Sequence, residues 1–242
     1  MAAVEYGEIS AVCERMCKEA SYDAVIVLGG DGTLIQVAGS LPTSLPLIGI
    51  NFGKLGFLAE VAKDEIFEAL DKLIADEFNI ENRMMLSAKS GDYARSALND
   101  IVIAREGELR IVSFSLYVNG ILLNKYEADG IIVSTPTGST GYSMSAGGPI
   151  VEPGAELILV TPIAPHTLNS RTIVLSAEDN IRIMIGKGRI HKEHEAYVSC
   201  DGGKALHLSA GDYVDIKRTD AVTKIIKLRK ESFIDVLSRK MQ

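Results

Sequence analysis

Cysteine is scarce and odd in number, with Cys13, Cys17 and Cys200 in 242 residues. That usage fits a reducing compartment. The spacing matches no zinc pattern, so the thiols are read as structural or incidental. No apolar run approaches the roughly 20 residues that span a bilayer, and no basic stretch followed by an apolar core opens the chain, so a cytoplasmic protein without a membrane partner is expected. Basic runs and arginine–aromatic clusters are missing too. With a formal net charge of −7, nucleic acid is excluded as an expected partner. Fixed-period repeats and low-complexity segments are absent. Hydrophobic residues make up 47% and charged residues 24%, the composition of a globular chain with no disordered tail, and the length suits two domains of moderate size.

What the chain does contain is a change of hydrophobic period. Residues 4–20 pattern as a helix with Ile9, Val12, Cys13 and Met16 on one side. The β-branched run 24–28 follows, then a helical piece through Leu34, Val37 and Ala38, a loop bounded by Pro42 and Pro46, and a short apolar strand at 47–50. Asp64 is read as the N-cap of a helix that presents Phe67, Leu70, Leu73 and Ile74 on one face and ends near Asp76. This alternation predicts an α/β domain, a parallel sheet with helices on it, over residues 1–85. No strand is legible before Ala24, so the sheet is expected to lack the first strand that open α/β sheets usually have. Beyond residue 85 the period falls to two. Asn119-Gly120, set between strands at 113–117 and 121–124, predicts a type I′ hairpin because both turn positions need positive φ. Further strands are read at 130–134, 157–161, 171–175, 180–185, 196–200, 213–217 and 223–228, giving a β-rich domain over 86–229. Residues 230–242 are read as a terminal helix that packs back on the first domain.

Two segments carry chemistry. Gly29-Gly30-Asp31-Gly32-Thr33 joins a buried strand to an aspartate among glycines, which let main-chain N–H groups approach an anion. A carboxylate would repel a phosphate there. Its presence makes sense if it takes a proton from an attacking hydroxyl or helps hold a metal beside a phosphate donor; the plain alternative is a tight turn with a solvated aspartate. Since the net charge opposes an anionic ligand, local amides, a helix N-terminus, a few cations or bound Mg²⁺ would have to reverse the sign at the site. The second segment, from Asp129-Gly130 through Ser134-Thr135-Pro136-Thr137-Gly138-Ser139-Thr140-Gly141-Tyr142 to Ser145 and Pro149, places hydroxyls, glycines and one ring after a buried strand. That composition suits hydrogen bonds to ribose and phosphate with the ring stacked on a base; a plain Ser/Gly/Thr loop is the alternative.

With these segments in hand, the chain resembles the NAD kinase family, whose marks are a GGDGT loop, an NxGxLGFL segment, an Asn–acid pair and a DGxxxSTPTGSTxY stretch. They stand here as Gly29 to Thr33, Asn51 to Leu58, Asn99-Asp100, and Asp129 to Tyr142, and Pro162 to Arg171 is similar to the family's PxxPHTLxxR segment. The likeness covers nearly the whole chain from about Asp23 onward. The glycine loop alone is shared with lipid kinases, and a related loop occurs in phosphofructokinases; its combination with the second segment is specific to NAD kinases.

The resemblance implies the family's two-domain architecture and phosphorylation of the adenosine-ribose 2′-hydroxyl of NAD to NADP. The donor would be ATP or polyphosphate, with a divalent metal, expected to be Mg²⁺ held mainly by the donor phosphates. It implies Asp31 as general base, with Gly29, Gly30 and Gly32 leaving room for the donor phosphates and Asn99 and Asp100 holding the dinucleotide. Asp129, Thr140, Gly141, Tyr142 and Ser145 would line that site, Tyr142 against a base, and Asp201 is carried over from the family's late aspartate turn. A homodimer or homotetramer is expected. Gly141 replaces a frequent alanine but keeps the main-chain contact, and Gly203 stands where many relatives have glutamine. Arg110 either offsets phosphate charge or is a solvated strand-edge arginine, whereas the glycine neighbours of Lys54 favour phosphate. His166 is read as structural; His191 and His194 lack the HExxH spacing and are assigned to solvent. Two other functions stay open. One is a dinucleotide-binding protein without catalysis, prompted by the missing first strand. The other is a lipid kinase, against which stand the hydroxyl-rich loop and the lack of an amphipathic membrane segment.

Overall fold

The apolar run before the glycine loop is a buried strand that sets the layout of the first part of the chain. The computed structural model describes residues 3–4, 22–41, 45–53, 56–107, 111–166, 170–187 and 195–241. Ala3–Val4 (β1), Val25–Leu28 (β2) and Leu47–Asn51 (β3) run parallel, with Ala3 opposite Ile26 and Val25 opposite Leu47. The sheet therefore has a strand ahead of Ala24, contrary to the sequence reading; two residues are too few for a period to register. The helix expected over 4–20 lies, beyond Val4, outside the described residues. Val61–Ala62 (β4) pairs parallel with the end of β3, and Ile225 pairs with its beginning at Leu47.

Asp31–Ser40 (α1) covers this sheet with Thr33, Leu34, Val37 and Ala38 buried. It sits close, since a Cβ at Gly49 of β3 would come within 2.8 Å of Leu34 Cδ1. Ile66–Ile74 (α2) follows a 3-10 turn at Lys63–Glu65. Asp64 does not cap it: Glu65 holds the N-cap position, and its carboxylate accepts from the Ala62 N–H at 2.9 Å. The inward stripe is also shifted. Ile66, Ala69, Leu70 and Leu73, spaced i, i+3, i+4, i+7, pack on Ile26, Ile48 and Ile50. Phe67 and Ile74 fall about 100° off that stripe and are 81% and 83% exposed. Phe233–Lys240, the terminal helix, belongs to the same compact unit, which comprises Met1–Arg83 and Ala221–Gln242. Ser232 caps it, its Oγ accepting from Asp235 N at 3.2 Å while Asp235 accepts from Ser232 N at 2.9 Å.

Met84–Asp220 form the second unit, built from two antiparallel sheets. Its strands are Asn79–Ser90 (β5), entering from the first unit, Tyr93–Ala97 (β6), Asp100–Arg105 (β7), Val112–Val118 (β8), Ile121–Ala128 (β9), Gly130–Ser134 (β10), Leu157–Ile163 (β11), Ile173–Ser176 (β12), Ile181–Ile185 (β13), Glu195–Cys200 (β14), Leu206–Ser209 (β15) and Tyr213–Lys227 (β16). One sheet carries β16-β13-β8-β9, with β5 on β16 and β6 on β5; the other runs β12-β11-β10-β7-β14-β15. Alternate residues of each close on a common core: Phe114, Leu116, Ile181, Ile183 and Val214 from the first sheet, Ile101, Ile103, Ile131, Val133 and Val198 from the second. The β8–β9 turn has Asn119 at φ 50° and Gly120 at φ 81°, the type I′ signature. The strands read at 213–217 and 223–228 are one, because the polar Arg218-Thr219-Asp220 between them stay extended. β5, β6, β7 and β15 had no sequence-based counterpart. No helix among the described residues is long and apolar enough to cross a membrane.

Candidate active site

In the first unit the glycine loop ends β2 and opens α1. A Cβ at Gly29 would come within 2.8 Å of Thr33 Cβ, so packing alone requires that glycine. Gly30 and Gly32 differ. Among the described residues, a Cβ at Gly30 would meet nothing nearer than Asn51 Nδ2 at 3.8 Å, and one at Gly32 would meet nothing within 4 Å, so none of them closes the space beside either. Thr33 N and Leu34 N donate to Gly30 O at 3.1 and 3.2 Å, so the helix leaves the N–H groups of Asp31 and Gly32 without an internal partner, and the positive end of its dipole faces the same region, the local polarity a phosphate needs in an acidic protein.

Asp31 is the first residue of α1 and is half-buried. Its carboxylate accepts three main-chain hydrogen bonds from one loop: Phe57 N to Oδ2 at 2.6 Å, Leu58 N to Oδ1 at 3.1 Å and Ala59 N to Oδ1 at 2.9 Å. A solvated turn aspartate is thereby ruled out. Asn51, buried at the end of β3, accepts from Gly53 N at 2.9 Å and shapes the start of the same segment. The sequence named this segment as a motif but gave no sign that its amides hold Asp31, since main-chain donors have no residue signature.

In the second unit Asp201 anchors the Asn99-Asp100 pair. In left-handed conformation at φ 49°, it accepts from Leu98 N at 2.7 Å, Asn99 N at 2.8 Å and Asp100 N at 3.1 Å. These bonds commit its carboxylate to the backbone. Asp100 is buried, and that burial, followed by the charge of Asp201, pushes its carboxyl up to about 7. Asn99 Oδ1 is buried with no hydrogen-bond partner among the described residues, an acceptor with room for a donor. Gly141 adjoins both, since a Cβ there would lie 3.5 Å from Asn99 Nδ2 and 3.9 Å from Asp100 Oδ2. Tyr142 opens Tyr142–Ser145 (α3) and is 46% exposed; burial, then Tyr197, Asp100 and Asp129, raise its phenol above the usual range. Asp129 pairs with Arg105 Nε at 2.9 Å, a partner the sequence did not disclose.

The hydroxyl-rich turn serves itself more than the sequence suggested. Thr135 Oγ1 donates to Leu98 O at 2.6 Å and accepts from Gly138 N at 3.1 Å, Ser139 Oγ accepts from Val151 N at 3.0 Å, and Ser143 bonds Thr161 at 3.0 Å. Buried hydroxyls need partners, and these find them within the fold. Thr140 donates to Thr137 O at 3.3 Å and Ser145 is exposed, so these two are the hydroxyls placed toward the surface. A Cβ at Gly138 would overlap the Asn99 carbonyl, which explains that glycine by close approach. His166 donates its main-chain N–H to Glu127 O at 2.8 Å. Cys200 is buried, and burial pushes its thiol up to about 11, as expected of an inert thiol. Arg110, Lys54, His191, His194, Cys13 and Cys17 lie outside the described residues. Among those described, no three histidine, cysteine or carboxylate groups converge as metal ligands.

A parallel α/β unit opening on a glycine-loop aspartate, together with a β-sandwich unit carrying paired acids beside an exposed tyrosine, defines a nucleotide-handling phosphotransferase class. Residues 4–78 match the ATP-NAD kinase N-terminal domain and residues 98–228 the ATP-NAD kinase C-terminal domain. The chain belongs to the NAD kinase family. It is 50% identical to the NAD kinase of Agathobacter rectalis over 90% of this chain and 78% of that one. With the NAD kinase of Lachnoclostridium phytofermentans it shares 42% identity over 97% and 88%. Among solved structures, an Archaeoglobus fulgidus NAD kinase in complex with ATP superposes with a TM-score of 0.80 at 26% identity, covering 98% of this chain and 96% of that one. Yeast NADH kinase complexed with NADH superposes with a TM-score of 0.85 at 28% identity, covering 90% of this chain. This chain spans 66% of the yeast protein's length, just under two thirds. With both domains matched, the lipid-kinase reading of the glycine loop falls away.

Proposed function

We propose that the protein transfers the terminal phosphoryl group of ATP or polyphosphate to the adenosine-ribose 2′-hydroxyl of NAD, yielding NADP, with Asp31 as general base. The hydroxyl oxygen forms its bond to phosphorus as the bond to the donor's bridging oxygen breaks, and the hydroxyl proton passes to the Asp31 carboxylate. Open space at Gly30 and Gly32 and the first-turn amides of α1 favour the donor phosphates there. A divalent metal, read as Mg²⁺, would be held mainly by those phosphates and would screen their charge.

Asn99, Asp100, Gly141 and Tyr142 hold the dinucleotide. The unpartnered Asn99 Oδ1 accepts from a base or amide nitrogen, ionised Asp100 accepts from a ribose hydroxyl, and Tyr142 stacks on a base. Arg105 orients Asp129, while Asp201 holds the Asn99-Asp100 backbone instead of touching ligand. Thr140 and Ser145 line the rim. A cytoplasmic homodimer or homotetramer completes the reading.

The observation that carries it is Asp31 itself, a carboxylate aimed by three amides at the head of a helix beside open glycines. Asp31→Asn should lower NADP formation by about 10²–10⁴-fold with an unchanged circular dichroism spectrum. Full turnover in that variant removes the base assignment. Failure of the unaltered protein to form NADP from NAD, ATP and Mg²⁺, while still binding NAD, would favour a non-catalytic binding protein.

A further inference from the structure

The three donors to Asp31 fix which of its lone pairs is left for chemistry. An ionised carboxylate offers about four acceptor positions. Among the described residues, Oδ1 accepts from both Leu58 and Ala59 and Oδ2 from Phe57 alone, so the open position is on Oδ2. We propose that Oδ2 is the atom that receives the substrate proton, and that Gly56 is a positioning residue that makes the arrangement possible. A Cβ at Gly56 would overlap the carboxylate carbon and both its oxygens, so only glycine lets the loop lie flat against Asp31. The inference rests on Asp31 being the base.

The loop that holds Asp31 is itself held. Glu60, the next residue, accepts from Leu228 N at 2.5 Å and Arg229 N at 3.3 Å and pairs with Lys227 Nζ at 2.6 Å, both side chains largely buried. Phe57, the donor to Oδ2, packs its ring on Phe233 of the terminal helix with centroids 6.3 Å apart, and Lys240 Nζ lies 4.9 Å from the centre of that ring. The end of β16 and the terminal helix thus brace the amides that aim the carboxylate. During transfer the 2′-hydroxyl proton moves to Oδ2 as the new O–P bond forms and the donor's bridging P–O bond breaks; solvent then takes the proton and restores the carboxylate. Because the amides are fixed beforehand, the base needs no reorientation in the transition state.

Gly56→Ala tests the positioning against Asp31→Asn. The expected result is a folded variant whose kcat falls about 10- to 100-fold while the KM values for NAD and ATP stay near those of the unaltered protein. A general loss of structure would not produce that split. Glu60→Gln, which loosens the loop without touching Asp31, should give a smaller fall in kcat, again without a KM change. Amide proton resonances of Phe57, Leu58 and Ala59 should move upfield in Asp31→Asn, since a charged acceptor is lost; this readout is independent of turnover and serves if Gly56→Ala does not fold. Unchanged kcat in folded Gly56→Ala, a loss carried wholly by KM, or unmoved amide resonances in Asp31→Asn each overturn the proposal. The two readings also separate. An inactive Asp31→Asn with a fully active Gly56→Ala removes the positioning and keeps the base, whereas an active Asp31→Asn removes the base.

Discussion

Asp100 is a buried acid whose surroundings decide its charge. Burial first, and the charge of Asp201 second, push its carboxyl from 3.8 up to about 7. Burial also raises Asp201, against the pull of its three main-chain donors. Between about pH 4 and about pH 7 the folded chain keeps a proton that the unfolded chain has released, so stability falls as pH rises through that window and levels off above it. Asp100→Asn keeps the side-chain volume and removes that titration. Its urea midpoint should fall less between about pH 5 and about pH 8 than that of the unaltered protein, with m unchanged, and at the upper pH the variant should be at least as stable. Equal slopes in both proteins would place the proton on another group. In the proposed role, where ionised Asp100 accepts more strongly from ribose than its protonated form, the KM for NAD should drop as pH rises through about 7 only while Asp100 is present. None of this was legible in the sequence: Asn99-Asp100 was found by its likeness to a family pair, but its burial comes from tertiary packing and the acid that adds to the shift sits a hundred residues on.

At the scale of elements, the sequence was read well where local chemistry decides conformation. Asn119-Gly120 specified its hairpin, and Val25–Leu28 and Gly130–Ser134 follow from β-branched runs stopped by glycine or proline. Reading failed where tertiary contacts decide. Asn79–Ser90 mixes charged and apolar residues and is a strand because of its partners. The stripe of α2 slipped by one position because Phe67 and Ile74 look apolar yet face water. Ser232–Lys240 was legible as a helix, and its cap explains why: Ser232 and Asp235 satisfy each other's main-chain N–H groups while Arg239 and Lys240 stand at the negative end of the dipole. Ser232→Ala should cost about 1 kcal/mol of helix stability, seen as roughly fivefold faster amide exchange over 233–240, because the helix is short and has no fully buried side chain. Phe233 and Lys240 clasp Phe57, so the variant should also lose a little kcat. Unaltered exchange would mean that docking, and not the cap, holds the helix.

The whole molecule poses an electrostatic problem that its parts must solve. A chain with formal net charge −7 has to admit a dinucleotide and ATP, both anionic. The favourable groups at the glycine loop, the first-turn amides of α1 and the end of its dipole, act at contact distance and are hardly screened by salt, whereas the repulsion from the rest of the surface acts over the Debye length. Raising ionic strength from about 0.01 M to about 0.15 M shortens that length from about 30 Å to about 8 Å. At constant free Mg²⁺, the approach of ATP should therefore quicken, with kcat/KM for ATP rising a few-fold over this range and kcat almost unmoved. Stopped-flow binding of a fluorescent ATP analogue at the two salt levels checks the same point without turnover. If both rates fall with salt, cations near the loop dominate the long-range field, and the charge distribution, not the sum, governs entry.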